Sequence, residues 1–451
     1  MKRVLLCAAA MISLTVSAPA AAQTLEESLA AAYQSNPVLA AERAQLRQTD
    51  EGYHQARSAA LPSLSASASV SETERWGSGT NPFFQNQDGT AGYQVNASQA
   101  LYRGGRTSGA IDAALARIEA GRMQLRATEQ DILVAAVTAH TTVIRDQEIV
   151  AIRRNNVEVL ARQLDAARDR FEVGEITRTD VAQAEARLSG AQAQLSAAQA
   201  QLAASRANYE RVVGIAPQTL VAPGGLPELP ETLADAAEIA LAANPQLLAA
   251  QYAEIAAAEQ VQVARGSRLP EVSLSASASD SRRSDFSGDV DGTATVRAQV
   301  SVPLFTGGLN ASRVREALAA EDQARLQVVE ARRRVVEGIT TTWNNLLAAR
   351  AVIESSREAV RANEIAFEGV EQEAFVGLRT TLDVLNAEQE LLNSRLELVR
   401  AERDLFVASY NLLQAMGVLD VERLGLPVEP YAPSGTPERG RVPNLDLTPW
   451  N

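Results

Sequence analysis

The side chains that most often carry out catalysis or bind metals are scarce in this chain. Its 451 residues include only two histidines, His54 and His140, and neither has the spacing of a metal-binding motif. The one cysteine, Cys7, and the one lysine, Lys2, both precede residue 23. A phosphate-binding loop or a Schiff base uses a lysine, and the rest of the chain has none. The sequence therefore predicts no enzyme activity, no metal site and no cofactor.

The first 22 residues have the pattern of a secretory signal peptide. Lys2 and Arg3 precede an apolar run from Val4 to Val16, and the alanines at 20–22 form a small-residue cleavage site. We expect the exported protein to begin at Gln23 and to contain no disulfide, because no cysteine follows.

The composition excludes further classes of function. The formal net charge of −13 argues against a nucleic-acid-binding protein, whose binding surface would be basic. After residue 22 no apolar run reaches 18 residues, the length at which a membrane-spanning helix becomes a candidate. The chain is 46% hydrophobic but only 4% aromatic. Much of its apolar content is alanine, which forms helices readily but fills a compact core poorly.

The chain contains an internal duplication. Asn36-Pro37 and Leu61-Pro62 each recur at an offset of 208 residues, and Gly174 and Asp180-Val181 recur at an offset of 203. Prolines are concentrated at the joint between the copies and in the C-terminal tail. We therefore expect a first repeat at 23–216, a proline-rich linker at 217–232, a second repeat at 233–426, and an extended or disordered tail at 427–451.

Each repeat has the pattern of a helix, a pair of strands and a long helical hairpin. Apolar and polar residues alternate in Leu64–Ser71, which is typical of a strand with one polar face, and the same alternation occurs at 93–98, 274–279 and 294–302. Loops are expected at 76–92 and 280–292. Two proline-free runs, 106–172 and 309–376, predict helices of about 100 Å at 1.5 Å per residue. Shorter helices are predicted at 25–60 with a break at Asn36-Pro37, and at 178–213, 234–268 and 381–416.

The helix that follows each long run carries a seven-residue repeat of large and small residues. In the first copy Val181, Leu188 and Leu195 are the large residues, and Ala184 and Ala191 are small residues three positions on. Such a ladder is typical of a coiled-coil seam in which small residues permit close approach. A simple antiparallel helical hairpin would explain it equally well, so the ladder does not decide the architecture.

Four strands with one apolar face leave two possibilities for the sheet. The apolar faces could pack on protein as two ordinary hairpins, or the sheet could close by combining strands from several chains. An open sheet edge is not tolerated in lipid, so a membrane sheet would require the second arrangement. Alternating segments of about ten residues are a weak signal, so the pattern alone only slightly favours the membrane arrangement.

The turns after the two long helices carry related motifs: Phe171-Glu172-Val173-Gly174 with Thr179-Asp180-Val181, and Phe375-Val376-Gly377 with Thr380 and Asp383-Val384. Taken with the duplicated layout, these motifs resemble the TolC family of outer-membrane efflux proteins from about residue 25 to 417. The strand ends 101–105 and 303–308 are similar to the family's strand-to-helix junctions. The resemblance implies an α + β membrane protein with four strands and long coiled-coil helices in each chain. Three chains would form a twelve-stranded β-barrel continuous with a twelve-helix periplasmic tunnel.

The resemblance also implies a function, partners and site residues. The protein would be the outer-membrane exit channel of a tripartite efflux pump or a type I secretion system. Its partners would be two further copies of itself, outer-membrane lipid, a periplasmic adaptor and, indirectly, an inner-membrane pump. Adaptor docking at the hairpin tips would involve Gly174, Thr179, Asp180, Val181, Gly377, Thr380 and Val384. A periplasmic gate would involve Asp180, Arg379, Asp383 and Asn386.

Local helix chemistry offers a second explanation for the same tip residues. Gly174 and Gly377 could simply end the long helices, and the Thr179-Asp180 pair could cap the following helix. We expect capping and docking to coexist. Arg379 is expected to neutralise part of the acidic charge and to pin neighbouring hairpins. Asn386 departs from the family, in which an aspartate can occupy this place.

Two other classes of protein share some of these features. A periplasmic adaptor has a long helical hairpin, but only one, and it does not duplicate strand pairs. A periplasmic coiled-coil scaffold would account for the helices but not for the alternating strands.

Overall fold

The computed structural model describes residues 23–74, 87–283 and 290–433, which form eight helices and four strands. The helices are α1 Leu25–Ser35, α2 Pro37–Ser58, α3 Arg106–Glu172, α4 Arg178–Val213, α5 Leu233–Ala243, α6 Pro245–Gly266, α7 Leu309–Phe375 and α8 Thr381–Ala415. The strands are β1 Ser63–Glu74, β2 Gln87–Tyr102, β3 Glu271–Arg283 and β4 Val290–Ser301. The predicted signal peptide, the centres of both predicted strand-connecting loops and the tail beyond 433 lie outside the described residues.

The strands form one antiparallel sheet in the order β1-β2-β3-β4, which joins the strand pairs of the two repeats. The register aligns Leu64, Ala97, Ala276 and Val296 in one row across the sheet. The neighbouring row is Ser65, Asn96, Ser277 and Thr295. Since successive side chains point to opposite faces, the sheet has one apolar and one polar face, as the alternation predicts.

The strands are longer than the sequence predicts. Residues 87–92, 280–283 and 290–292 belong to strands, although their Gly and Asp content indicates loops. These residues form hydrogen bonds with the neighbouring strand, so the sheet continues into segments of polar composition. Pairing in the tertiary structure overrides the local propensity for a loop.

The shorter helices pack along the two long helices. The two long helices, α3 and α7, have 67 residues each. Helices α2 and α4 both pack on α3, while α6 and α8 both pack between α3 and α7. The predicted arrangement, in which two half-length helices line one long helix, is confirmed. None of the helices in the described part of the chain is both long and apolar enough to cross a membrane.

An asparagine joins the helix ends where two half-length helices meet. Asn36 Oδ1 accepts a hydrogen bond from Val38 N at 2.9 Å and so caps α2, while its Nδ2 donates to Val212 O near the end of α4 at 2.9 Å. In the second repeat Asn244 makes the same pair of contacts, capping α6 and donating to Ala415 O at 3.0 Å. The duplicated Asn-Pro motif therefore ends one helix, begins the next and ties both to the end of the return helix.

The main core lies around these junctions. It combines Leu29 of α1, Val137 of α3, Tyr209 of α4 and Leu413 of α8, all almost completely buried. A second cluster joins α5, α7 and α8. Outside this region the long helices pack through smaller clusters with their neighbouring helices.

His140 lies inside the main core and has a structural role. Its Nε2 donates to Val221 O at 3.0 Å, and its Nδ1 accepts from Ser28 Oγ at 2.9 Å. The Tyr209 hydroxyl lies 2.8 Å from the same Ser28 oxygen. Burial lowers the pKa of His140, so the neutral ring is favoured in this network.

The small-residue ladder lies on the buried side of α4. Ala184, Ala191, Ala198 and Ser205 are all buried. Ala191 packs against Leu160 of α3 and Leu385 of α8. The predicted close seam is confirmed in this hairpin, and it reaches the second hairpin through Leu385.

Candidate functional site

The hairpin tips, defined as residues 171–187 and 374–387, contain every residue of the predicted docking and gate sites. A glycine with positive φ ends each long helix: Gly174 has φ of 81° and Gly377 has φ of 79°. The following residues close the turn, with Glu175 N donating to Arg170 O and Leu378 N donating to Glu373 O, both at 2.9 Å. A Cβ at either glycine would meet no atom within 4 Å. The requirement for glycine is therefore the left-handed backbone, not close packing.

Thr177, and not Thr179, caps the first return helix. The Thr177 N–H donates to Asp180 Oδ2 at 2.9 Å, and the Asp180 N–H donates back to Thr177 Oγ1 at 3.4 Å. Thr380 and Asp383 form the same reciprocal pair in the second tip, at 3.0 and 3.3 Å. Thr179 instead lies in the first turn of α4. The offset of 203 residues matches Thr380 with Thr177, and the Thr-x-x-Asp spacing of a capping box was the signal that could have identified it.

The two tip aspartates are held in their ionised form by these caps. Hydrogen bonds from the Thr177 hydroxyl and N–H lower the pKa of Asp180. Hydrogen bonds from the Thr380 N–H and hydroxyl, together with the nearby Arg379, lower the pKa of Asp383. Each tip therefore presents one stable negative charge at the start of its return helix.

Arg379 pairs within its own hairpin. Its Nε donates to Glu373 Oε2 at 2.7 Å, which connects the two sides of the second turn. The sequence did not indicate Glu373 as its partner. Contact of Arg379 with a neighbouring hairpin stays a prediction.

Asn386 connects the two hairpins of one chain. Its Oδ1 accepts a hydrogen bond from Arg187 Nη2 at 3.1 Å, which joins α8 to α4. Arg187 lies seven residues after Asp180 and so follows the same face of α4. Sequence reasoning missed it, because nothing local marks an arginine as the partner of a residue 199 positions away.

The two predicted valines do not form the exposed surface of the tips. Val181 is half-buried and packs against Leu164, Ala167 and Ala184. Val384 lines a cavity of about 230 Å³ between α3, α7 and α8.

Other apolar residues form the exposed surface instead. Val173, Phe375 and Leu378 have exposed fractions of 78%, 82% and 75%. Such a concentration of exposed apolar side chains is typical of a surface that contacts another molecule.

Comparison with known proteins decides which family this geometry belongs to. Residues 29–214 and 236–418 match the family described as "Outer membrane efflux protein". One matched segment lies in each repeat. The chain belongs to the outer membrane efflux protein family. This family membership makes it an outer-membrane efflux channel protein, with its helical part in the periplasm.

Individual relatives agree with this family. The chain is 39% identical to the outer membrane efflux protein BepC of Brucella suis over 433 residues, covering 95% of this chain and 93% of that one. It is 27% identical to the outer membrane protein TolC of Vibrio cholerae, covering 90% of this chain and 93% of that one.

The fold is that of solved outer-membrane channels. The structure of the outer membrane protein VceC of Vibrio cholerae superposes with a TM-score of 0.73 at 23% identity, covering 87% of this chain and 96% of that one. The resemblance to the TolC family inferred from the turn motifs is confirmed, as is the TolC-like architecture.

Proposed function

We propose that this efflux protein works as a homotrimer and forms the passive exit channel of a tripartite efflux pump or a type I secretion system. The observation that carries the proposal is the four-stranded sheet. Both of its edges, β1 and β4, pair with no further strand in the described part of the chain. Every residue of β4 is exposed, and Val70 and Val296 on the apolar face have exposed fractions of 86% and 76%.

A sheet of this kind is incomplete in a membrane. Unpaired N–H and C=O groups at an edge have no water to bind in the lipid core, so the sheet must close on itself. Three copies would pair β1 of one chain with β4 of the next and close twelve strands. The apolar face would then contact lipid, and the serine-rich face would line a wet pore.

The hairpin tips support the proposed adaptor docking. Exposed Val173, Phe375 and Leu378 supply an apolar contact surface around the two glycine turns. We assign docking to the residues 174, 179–181, 377, 380 and 384 together with this surface. The pump engaged through the adaptor would supply the energy, because the channel itself only provides a path.

The proposed gate is the ring of charges that three copies would place at the tips. Each chain contributes Asp180 and Asp383, with Arg379 and Asn386 beside the second aspartate. Asp383→Ala should weaken cation selectivity and cation block in single-channel recordings, whereas Asn386→Asp should strengthen the block.

Disulfide trapping tests the trimer directly. No cysteine follows Cys7, so any disulfide bond in the exported protein must form between the introduced cysteines. Ser67→Cys on β1, combined in turn with Thr293→Cys, Thr295→Cys or Arg297→Cys on β4, should give a covalent trimer for the pair that meets across the edge. Each single variant is the matched control and should give no covalent trimer.

The opposite results would contradict the proposal. A protein that stays monomeric in mild detergent and still conducts ions would rule out closure by three chains. Release in soluble form by osmotic shock would instead support a periplasmic adaptor or scaffold.

A further inference from the structure

Gln23, the first residue of the expected exported chain, is held against the linker between the two repeats. Val221 N donates to the Gln23 carbonyl oxygen at 3.0 Å, and the Gln23 N–H donates to Thr219 O at 2.8 Å. In the chain before cleavage Gln23 is only 6% exposed. Cleavage by signal peptidase would therefore create a new α-amino group at a packed position.

A positive charge on that amino group would be poorly placed. Gln23 immediately precedes Thr24, the N-cap of α1. The N-terminus of a helix carries a partial positive charge, which repels an ammonium group. Burial disfavours the charge as well, because a buried ammonium is stabilised only when its N–H groups are paired. Within the described part of the chain, the Gln23 nitrogen has one acceptor, Thr219 O.

The nearby carboxylates compensate for this charge only weakly. Glu26 and Glu27 lie in the first turn of α1, and both are exposed to solvent. Glu27 already accepts a hydrogen bond from Thr24 N at 3.1 Å, as part of the capping box. An exposed ion pair contributes little, because water and salt screen the attraction.

The side chain of Gln23 contains the group that can remove the charge. Its Oε1 is buried and has no hydrogen-bond partner among the residues that the structure describes. The fold therefore does not engage this amide through its oxygen. In a glutamine at the start of a chain, attack of the α-amine on the side-chain carbon Cδ closes a five-membered ring.

We propose that Gln23 is converted to pyroglutamate after the signal peptide is removed and before the residue packs against the linker. The α-amine nitrogen attacks Cδ, so that an N–Cδ bond forms and the Cδ–Nε2 bond breaks. One proton of the amine passes to the departing nitrogen, which leaves as ammonia. An α-amine has a pKa of about 8, so a fraction of it is uncharged and nucleophilic at neutral pH. The reaction needs no oxidant, reductant or co-substrate.

The lactam fits the surroundings of residue 23 better than an ammonium group does. Its nitrogen is uncharged and carries one N–H, which matches the one acceptor. The Gln23 carbonyl lies outside the ring and can keep its hydrogen bond from Val221 N. Cyclisation thus removes a positive charge from the start of α1, as other modifications of chain ends do. The proposal rests on cleavage before Gln23 and does not require a trimer.

Cyclisation would leave the exported protein without any primary amine. The one lysine, Lys2, is removed with the signal peptide, so the α-amine of Gln23 is the only primary amine that remains. Amine-specific labelling of the whole protein therefore reports on this single group.

Reductive dimethylation of the intact protein, followed by trypsin digestion and mass spectrometry, tests the proposal. Because labelling precedes digestion, an amine that is still free is dimethylated and can no longer cyclise during handling. The peptide 23–43 should carry no label and should be lighter by one ammonia than its sequence requires. Pyroglutamyl peptidase should then shorten this peptide by one residue, so that it begins at Thr24.

Two variants serve as controls. Gln23→Ala keeps the α-amine but lacks the side-chain amide, so its intact protein should be labelled stoichiometrically at the α-amine. Gln34→Ala removes an exposed, internal glutamine from the same peptide and should stay unlabelled like the unmodified protein.

Two results would overturn the proposal. One is a dimethyl label on the α-amine of Gln23 in the unmodified protein, at the level found in Gln23→Ala. The other is an N-terminal peptide that begins at a residue other than Gln23, which would show that the expected cleavage site is wrong. The sequence of the labelled or unlabelled peptide distinguishes the two.

Discussion

At the scale of single residues, the tips are stabilised by side chains that accept hydrogen bonds from backbone N–H groups. The turn leaves these N–H groups without a backbone partner. The threonine at each N-cap and the aspartate three residues later bond to each other's N–H groups. This local role explains why both tips have an aspartate at the same position, Asp180 and Asp383. It does not exclude a second role for their charge. A substitution that removes the cap but keeps the charge can therefore separate the two.

Thr177→Ala should destabilise the first tip by about 1 kcal/mol, because the N-cap oxygen is lost while Asp180 stays. Hydrogen exchange of the amides in the first turn of α4 should accelerate by about fivefold. Thr179→Ala is the matched control, one position inside the helix, and should change exchange much less. Equal effects of both variants would contradict the assignment of Thr177 as the cap.

Arg379→Ser should loosen the second turn because it breaks the bond to Glu373 across the turn. In a trimeric channel we expect a higher resting conductance in planar bilayers. Glu373→Gln removes the same ion pair from the other side and should raise conductance by a similar amount. If Arg379→Ser opens the channel and Glu373→Gln does not, Arg379 acts through a neighbouring hairpin instead.

At the scale of the elements, close approach of helices along the alanine ladder of α4 makes the first hairpin narrow. Ala191 is 7% exposed and packs against Leu160 and Leu385, beside a cavity of about 130 Å³ that these three residues help to line. The seam thus connects the packing of the first hairpin to that of the second.

Ala191→Leu should destabilise the lower part of the helices by about 1–3 kcal/mol through overpacking. Ala193→Leu places the same side chain at an exposed position two residues away and should be nearly neutral. The difference can be measured by chemical unfolding followed by circular dichroism. Equal unfolding midpoints for both variants would show that the seam is not close-packed.

At the scale of the whole molecule, the start of the predicted C-terminal tail returns to the first repeat. Tyr431 N donates to Tyr33 Oη at 2.9 Å. The Arg43 guanidinium lies between the two tyrosine rings, 4.6 Å from the centroid of Tyr33 and 4.8 Å from that of Tyr431. This cation–π stack holds residues 417–433 against α1 and α2.

Arg43→Ala should reduce the free energy of unfolding by about 1–2 kcal/mol, because it removes contacts with both rings. It should also make the C-terminal segment more sensitive to limited proteolysis. Arg47→Ala removes an exposed arginine one turn later in α2 and serves as the control. Unchanged proteolysis in Arg43→Ala would show that the hydrogen bond to Tyr33 is sufficient to hold the segment.

Much of the fold could be predicted because its signals are local. The run 106–172 coincides with α3, and the prediction for α7 extended only one residue too far, since a proline-free run between two glycines specifies a helix and its ends. Alternation over a few residues likewise specified the two faces of the sheet. The Thr-x-x-Asp spacing of Thr177 and Asp180 is also a local signal for the cap, and it excludes the neighbouring Thr179.

The contacts that only the tertiary structure decided join residues far apart in the chain. Arg187 meets Asn386 across 199 residues, and Asn156 meets Glu388 across 232. Both pairs exist because α8 packs beside α3 and α4 in one particular register. No local pattern encodes which helices become neighbours, whereas the burial that raises the pKa of Glu388 depends on that choice alone. The sequence by itself therefore determined the elements, their order and the family, and the packing of the hairpins decided which polar side chains meet.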